Sequence, residues 1–261
     1  MTEELRELYR YRDLFYTIVR RDINVRYKQS AMGFLWALLM PTLIVGAGVI
    51  VRYGLALASG KHLDNADIAA VAVKSVPWAF LVSSIRFSCI SLTTNTTLVT
   101  KIYFPKEIFP LAAVLASLFD CAVASVPLVI LLLVLKTGWS LCLFEVPVLI
   151  MTMIVLAAGI SMIVSAGSLF FRDVKYIVEA VLTFAILFTP VVYDVQMFGD
   201  KGKWLLINPA APILEGISDC VTRQQWPELS WLAYSMVFAL IAFFGGYAFF
   251  KHLEPAFAES I

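Results

Sequence analysis

Long apolar runs separated by short polar segments are the main pattern along this chain. A helix needs about 20 apolar residues to cross a bilayer. Six runs come close to this length or exceed it: residues 35–57, 76–94, 108–135, 146–171, 177–193 and 229–250. The pattern therefore predicts an all-α, polytopic membrane protein with six transmembrane helices, in which residues 1–261 form a single transmembrane domain.

Two further segments predict helices that do not cross the membrane. In residues 5–28, apolar side chains such as Leu8, Tyr11 and Phe15 recur every three to four positions, and basic side chains occupy the opposite face. This is typical of an amphipathic helix that lies among the lipid headgroups. Residues 204–221 are mostly apolar but contain prolines and acids that a lipid-exposed span could not carry. We expect one or two short interfacial or re-entrant helices there.

The composition and the charge distribution orient this protein in the membrane. Apolar residues make up 61% of the chain and charged residues 15%, whereas soluble domains are about one quarter charged. Lys and Arg are concentrated before the first span and after every second span, so the positive-inside rule predicts that both termini face the cytoplasm. Residues 99–111 and 170–177 are then cytoplasmic, and residues 204–221 lie on the outer face.

Two charged residues interrupt predicted spans away from the span ends. Arg86 falls in the second span and Asp120 in the third, and the helical rise places both near the middle of the bilayer. Charges at that depth are costly and pair with one another, so we hypothesise an Arg86–Asp120 ion pair. The pair is either a structural pin between adjacent helices or part of a substrate path, and the sequence leaves both alternatives open.

Residues suited to catalysis or metal binding are sparse. His62 and His252 lie outside the spans, and the four cysteines show no spacing typical of a metal site. Residues 59–62 (SGKH) differ from a phosphate-binding loop because His62 stands where Ser or Thr would meet magnesium. The sequence therefore predicts no catalytic residue, no cofactor or metal site in this chain, and no nucleic-acid partner.

Four stretches together resemble a known family of membrane proteins. They are RDINVRYKQSAMGFLWALLMP (residues 21–41), NTTLVTKIYFPKEIFPLAAVL (95–115), LFFRDVKYIV (169–178), and TPVVY followed by INPAAPILEG (189–193 and 207–216). In this order they resemble the membrane subunit of polysaccharide-exporting ABC transporters. These are type 2 ABC export permeases, which serve O-antigen, capsule and teichoic acid export.

The resemblance implies a transport subunit rather than an enzyme. Permeases of this family work as homodimers in the bacterial inner membrane, each copy bound to a cytoplasmic ABC ATPase that holds the ATP and Mg²⁺. A lipid-linked glycan passes between the two copies, surrounded by membrane lipids. The family's interface helix matches residues 5–28, and its outer gate helices match residues 204–221. Its entrance loop, which usually has Leu where this chain has Met, matches the residues Gln29, Ser30, Met32 and Gly33.

The resemblance also places a coupling helix, which docks in the ATPase, at residues 99–108. Prolines restrict the backbone of this segment, its aromatic residues offer interface anchors, and its charges offer contacts at the rim. The expected docking residues are Lys101, Ile102, Tyr103, Phe104, Pro105, Lys106 and Glu107. Residues 170–177 are a candidate second, smaller contact.

The expected substrate path combines aromatic faces, which can stack on sugar rings, with the two charges inside the spans. Its candidate residues are Trp36, Trp78, Phe80, Arg86, Asp120 and Tyr193. Three other functions are alternatives: a drug or lipid exporter of the same superfamily, an ion-coupled secondary transporter, and a membrane enzyme. The second would need paired acids at mid-depth and internal repeats, and the third would need clustered acid–base residues. Neither pattern is evident in the sequence.

Overall fold

The chain folds into a bundle of α-helices. The structure is a computed structural model that describes residues 6, 9–28, 35–59, 64–101 and 103–257. Its α-helices are α1 (Arg12–Lys28), α2 (Leu35–Ser59), α3 (Asn65–Ser91), α4 (Thr96–Lys101), α5 (Ile108–Val134), α6 (Val146–Phe170), α7 (Val174–Phe188), α8 (Ala210–Ser218) and α9 (Leu229–Leu253). The connections include 3-10 helices at Thr93–Asn95, Leu141–Glu145, Val195–Ile207 and Glu254–Ala256, and a π-helix at Asp219–Arg223. These described residues contain no β-strand.

Four helical segments among the described residues are long and apolar enough to cross a membrane. They are Asn65–Ser91, Ile108–Val134, Leu141–Phe170 and Leu229–Ala256. The other two predicted spans are also helical, as α2 and α7. The apolar part of α2 is the shorter stretch Pro41–Gly54, and α7 is itself a short helix. The 15 residues of α7 extend about 22 Å, which is less than the bilayer core of about 30 Å.

The second predicted span begins earlier than its apolar run. The sequence pattern placed it at residues 76–94, whereas α3 starts at Asn65. Asp64 and Asp67 form a capping box there, in which the Asp64 N–H donates to the Asp67 carboxylate at 3.2 Å. Such a box satisfies backbone N–H groups that the first turn leaves without partners. Polar residues ahead of the apolar run are thus part of the helix.

Helix α3 lies at the centre of the bundle, packed against α2, α5, α6, α7 and α8. Its contact with α6 is built from serines. Ser91 and Ser165 share a hydrogen bond of 3.0 Å, and Ser161 donates to the Ser84 carbonyl at 3.4 Å. Small hydroxyl side chains let two helices approach closely and still satisfy their polar groups.

Helices α6 and α9 approach each other through glycines. A Cβ atom on Gly246 would overlap the carbonyl oxygen of Gly159, and a Cβ atom on Gly159 would overlap the backbone of Ala242. The two helix backbones are therefore in direct contact, as small residues at a membrane-type helix interface permit.

The two ends of the bundle differ in content. At one end, here called the terminal end, Ile18 of α1, Phe109 of α5 and Phe250 of α9 join one buried apolar cluster. At the other, here called the far end, Arg52 of α2 and Lys74 of α3 meet acids from the segment that connects α7 to α9. The first and last described helices thus share the terminal end.

The structure does not form the single coupling helix that was expected over residues 99–108. Helix α4 ends at Lys101, residues 103–107 are non-helical, and α5 begins at Ile108. Pro105 accounts for the break, because it has no N–H to donate and disfavours helical backbone at the preceding residue. The segment is therefore a helix end followed by a turn.

Residues 204–221 contain several short helical pieces. They include the end of the 3-10 helix Val195–Ile207, all of α8, and the start of the π-helix Asp219–Arg223. Pro209 immediately precedes α8 as its N-cap, where the missing N–H of a proline does not break the helix. The segment folds against the far end of the bundle, where Leu214 and Ile217 are buried.

Candidate functional site

A cavity of about 440 Å³ lies between α1, α2, α3 and α5. Three of the expected path residues, Phe80, Arg86 and Asp120, line it together. Arg26 and Tyr27 of α1, together with Ser83 and Ser117, add to its polar lining, and the remaining lining residues are mostly apolar. The fold thus brings residues that are distant along the chain together around one cavity, in which charged groups are set in an apolar wall.

Asp120 is bound by the interface helix. Its Oδ2 accepts from Arg26 Nη1 at 2.5 Å, and its Oδ1 accepts from the Tyr27 hydroxyl. The Arg26 guanidinium also donates to the Ser117 hydroxyl at 3.3 Å and stacks over the Phe87 ring, 3.7 Å from its centre. Burial, together with the hydrogen bond to Asp120, raises the pKa of the Tyr27 phenol. These contacts fasten α1 along α5.

The expected Arg86–Asp120 ion pair is wrong. Arg86 Nε donates instead to Glu179 Oε1 of α7 at 2.7 Å. The reason is that α1 folds back along α5 and brings Arg26 to Asp120, so the carboxylate already has its cation. The Arg86 and Glu179 side chains are 41% and 46% exposed, whereas those of Arg26 and Asp120 are 13% and 19% exposed.

The expected aromatic residues do not form one surface. Trp78 and Phe80 are two positions apart on α3, so their side chains point about 200° apart around the helix. Both residues are buried members of the main apolar core, but only Phe80 also lines the cavity. Tyr193 lies at the far end, where its ring meets Phe198 edge-on at 5.4 Å. The structure therefore brings Phe80 close to the charged path residues and leaves Trp78 and Tyr193 apart from them.

Several expected site residues lie outside the part of the chain that the structure describes. They are the entrance-loop residues Gln29, Ser30, Met32 and Gly33, the docking residue Ile102, and the side chain of Trp36.

The expected docking segment presents only part of its set. Tyr103 is 87% exposed and Lys101 is also exposed. Phe104 and Pro105 are buried, and Phe104 packs edge-on against Phe109 at 5.5 Å. The Lys106 ammonium lies over the Phe104 ring at 4.3 Å. Of the residues expected to contact a partner, Lys101 and Tyr103 are thus exposed, whereas Phe104 and Pro105 are buried.

Glu107 is also buried, whereas the sequence analysis expected its charge at the rim of the contact with the ATPase. Its side chain is 1% exposed, and its Oε2 pairs with Lys251 of α9 at 2.8 Å. Lys251 also pairs with Glu254 at 2.8 Å, and Glu254 accepts from the Lys106 N–H at 3.1 Å. Burial raises the pKa of Glu107, while the bond from Lys251 opposes that shift. These contacts hold the turn before α5 against the end of α9.

The far end holds a buried charge network that the sequence analysis missed. Lys74, with no side-chain exposure, pairs with Asp194 at 2.5 Å and with Glu215 at 3.1 Å. Arg52, 1% exposed, pairs with Asp194 at 2.8 Å and with Asp67 at 2.7 Å. The network ties α2 and α3 to α8 and to the segment after α7.

The acids of this network differ in their proton affinity. Burial by itself would raise the pKa of Asp194, but Lys74, Arg52 and the nearby Arg223 outweigh burial, and the pKa lies below its usual value. Burial raises the pKa of Glu215, with Lys74 opposing it. Asp194 is therefore the firmly ionised member of the pair. The sequence signal for it was the position of Asp194 directly after an apolar run.

Comparison with known proteins gives consistent results along the chain. The family model described as "ABC-2 type transporter" matches residues 13–221. A relative named O-antigen export system permease protein RfbA, from Myxococcus xanthus, is 28% identical over 268 residues and is covered completely, as is this chain. A relative of the same name from Klebsiella pneumoniae is 26% identical over 263 residues, covering 95% of this chain and 94% of the relative. A second one from that organism is 26% identical over 251 residues, with the same shares covered.

Proposed function

The chain belongs to the ABC-2 type transporter family, and from this premise we propose that it is the transmembrane subunit of an ATP-driven exporter. Its cargo is a lipid-linked polysaccharide such as O-antigen, carried across the bacterial inner membrane. The observation that carries the proposal is the end-to-end similarity to relatives named O-antigen export system permease. The cavity that Phe80, Arg86 and Asp120 line supports it.

In this proposal six helices cross the membrane with both termini in the cytoplasm. Helices α2 and α7 join the four longer spans, and a short hydrophobic helix such as α7 is accommodated by local thinning of the bilayer. The terminal end contains α1, α4 and the corner between α6 and α7. α1 is rich in Lys and Arg, and Lys101, Arg172 and Lys175 add to them. The positive-inside rule assigns such an end to the cytoplasm.

A cytoplasmic ABC ATPase docks on the terminal end, against Lys101 and Tyr103. An exposed tyrosine beside a cation is a typical anchor of a protein interface. The turn behind these residues is held by the Glu107–Lys251 pair and by the Phe104–Phe109 contact. A docking segment that is held rigidly transmits a displacement of the ATPase to the helices, whereas a loosely held loop would absorb it.

The glycan passes between two copies of this chain, beside the cavity. The two charged pairs there have different roles. Arg26 and Asp120 are largely enclosed and pin α1 to α5, whereas Arg86 and Glu179 are exposed enough to reach a substrate. Phe80 supplies an aromatic face in the same lining.

The experiment is transport by the purified complex. The tagged permease and the ABC ATPase that copurifies with it are reconstituted into liposomes carrying a lipid-linked polysaccharide, and movement of the glycan to the opposite leaflet is followed with a lectin. We expect movement that requires ATP hydrolysis. Movement driven by a proton gradient without ATP would identify a secondary transporter, and ATP-driven movement of small amphiphiles but not of the glycan would identify a drug or lipid exporter.

A further inference from the structure

A second cavity, of about 380 Å³, lies between α3, α5 and α6 in the half of the bundle nearest the far end. Its inner wall includes Val73 of α3 and Ile217 of α8, which are both buried. Its outer rim includes Val129 and Leu133 of α5 and Pro147 of α6, which are all exposed. The cavity is therefore closed toward the core of the bundle and opens outward between α5 and α6.

The length of this cavity is similar to the depth of one bilayer leaflet. Along α5 its lining runs from Cys121 to Leu133, a helical rise of about 18 Å. Cys121 is in the middle of α5, where it also lines the cavity around Asp120, and Leu133 is at the end of the helix. One leaflet contributes about half of a hydrocarbon core of about 30 Å. The opening thus faces the acyl chains of the leaflet at the far end.

The described side chains that line this cavity are almost entirely apolar. They include no charged group, and their two hydroxyls already have acceptors. The Ser125 hydroxyl donates to the Cys121 carbonyl at 2.8 Å, and the Thr137 hydroxyl donates to the Leu132 carbonyl at 3.1 Å. Water needs several polar partners in a cavity, so this lining favours an apolar occupant.

Groups typical of a membrane surface lie where the cavity reaches the far end. Trp139 lines this end and is 83% exposed, and Trp is enriched at the boundary between lipid and water. Lys136, three positions earlier, is exposed and forms no ion pair with a described residue. A cation at the end of an apolar slot is complementary to a phospholipid, whose phosphate is attached to apolar chains.

We propose that this cavity binds one acyl chain of a phospholipid from the leaflet at the far end, with the lipid phosphate beside Lys136. A second copy of this chain is the competing occupant. A cavity of about 380 Å³ that extends over about 18 Å is too narrow for a helix about 10 Å across, whereas a flexible acyl chain can enter it. The inference goes beyond the proposed function, because it requires a membrane around the protein and no particular cargo.

The test identifies the residues that a lipid chain reaches. The full-length protein with its copurifying ATPase is placed in nanodiscs of phosphatidylethanolamine and phosphatidylglycerol, in which some molecules carry a diazirine halfway along one acyl chain. After illumination, the labelled residues are identified by mass spectrometry. We expect label on Val73 and Ile217, which are only 2% and 4% exposed and which a lipid chain reaches from inside the cavity.

Three variants of α5 locate the chain. Ser125→Phe fills the cavity, and Val129→Phe narrows its opening at a half-exposed position, which keeps the test valid if the first variant does not fold. The matched control is Val126→Phe, because Val126 is 61% exposed on the same helix and does not line the cavity. We expect label on the inner wall to fall about tenfold in the first two variants and to stay unchanged in the control, since an added ring takes the space of the chain.

A fourth variant, Lys136→Gln, tests the position of the headgroup. We expect it to lower label on the inner wall about fivefold, the effect of one cation beside an anionic headgroup. The same change at the exposed Lys201 is the control. Label that does not change in Lys136→Gln would overturn the assignment of the phosphate to this residue.

Other outcomes overturn the inference as a whole. A wild-type complex without label on Val73 and Ile217 shows that no phospholipid chain enters, and an equal fall in Val126→Phe shows a general lipid contact of α5. Label from a diazirine-bearing polyprenyl phosphate in preference to the phospholipids would assign the cavity to a different lipid. ATP-driven glycan transport by the wild-type complex is measured separately, so the proposed function can stand when this inference fails.

Discussion

At the scale of single residues, the carboxylate of Asp194 holds the far end of the bundle together. Its Oδ1 accepts from Arg52 at 2.8 Å and from Lys74 at 2.5 Å, and its Oδ2 pairs with Arg223 at 3.3 Å. Arg52 and Lys74 are almost entirely buried. A buried cation without a counter-charge is strongly destabilising. Among the described acids Asp194 pairs with both cations, whereas Asp67 pairs with Arg52 alone and Glu215 with Lys74 alone.

Replacing Asp194 should therefore cost more than replacing its neighbour Glu215. We expect Asp194→Asn to lower the free energy of unfolding by about 3–5 kcal/mol, the typical cost of removing one partner of a buried pair. Glu215→Gln should cost less, because Lys74 keeps Asp194. Thermal unfolding of the purified protein measures both. The control is Asp200→Asn, an exposed acid, and an Asp194→Asn protein that unfolds with this control would contradict the role.

The pH dependence of stability should reflect the lowered pKa of Asp194. A group whose pKa is lower in the folded state stabilises above its unfolded pKa, near 3.8, and loses that contribution as the pH falls through the folded pKa. The difference in melting temperature between wild type and Asp194→Asn should therefore stay constant from about pH 7 to about pH 5 and shrink below about pH 4. A difference that already shrinks between pH 7 and pH 5 would show that Asp194 is protonated too easily for this role.

At the scale of elements, glycines set the separation of α6 and α9. Gly246 faces the carbonyl of Gly159, but its neighbour Gly245 has no atom within 4 Å of the position that a Cβ would occupy. The two adjacent glycines thus differ in their surroundings, although both lie in the middle of an apolar helix.

Adding one methyl group at each glycine separates packing from helix propensity. We expect Gly246→Ala to destabilise the protein by about 1–3 kcal/mol, as overpacking typically does, because the two backbones must move apart. Gly245→Ala should be neutral or slightly stabilising, since Ala favours helix more than Gly. Thermal unfolding of the two purified variants compares them directly, and equal melting temperatures would mean that α6 and α9 are not in backbone contact.

At the scale of the whole molecule, the apolar pattern alone predicted most of the architecture. The described part of each long apolar run is mostly helical, although α7 ends at Phe188, before the end of its run at Tyr193. The resemblance to type 2 ABC export permeases is confirmed by the family match. Helix boundaries were less predictable. α3 starts before its apolar run, because the capping acids and Lys74 find partners within the fold, which hydropathy along a sequence does not register.

Charge partners were the least predictable feature. Arg86 and Asp120 lie on adjacent spans at similar depth, and their similar depth was the basis for predicting an ion pair. The pairing depends on where α1 returns and where α7 packs, and both are decided by tertiary contacts such as Arg26 on Ser117. Likewise, Asp194 and Glu215 form their ion pairs only because the chain after α7 folds onto α2 and α3.

Cysteine accessibility tests the proposed orientation of the whole protein. In a chain whose native cysteines are replaced by serine, Tyr103→Cys and Lys201→Cys are treated with a membrane-impermeant maleimide in spheroplasts. We expect labelling of Lys201→Cys in sealed cells and of Tyr103→Cys only after lysis, because Lys and Arg favour the cytoplasmic face. The reverse result would invert the molecule and remove Tyr103 from any cytoplasmic ATPase.

The separation along the chain between the buried cations and their acids has a consequence for biogenesis. Lys74 is 120 residues from Asp194, and Arg52 is 142 residues from it. When the ribosome has delivered α2 and α3 to the insertion machinery, both cations are present and Asp194 has yet to be translated. A nascent chain halted before residue 194 leaves Lys74 without either of its acids, and leaves Arg52 with Asp67 alone, in a membrane where charge is costly. The first half of the protein thus reaches its final packing only after translation has passed Asp194 and Glu215 in the second half.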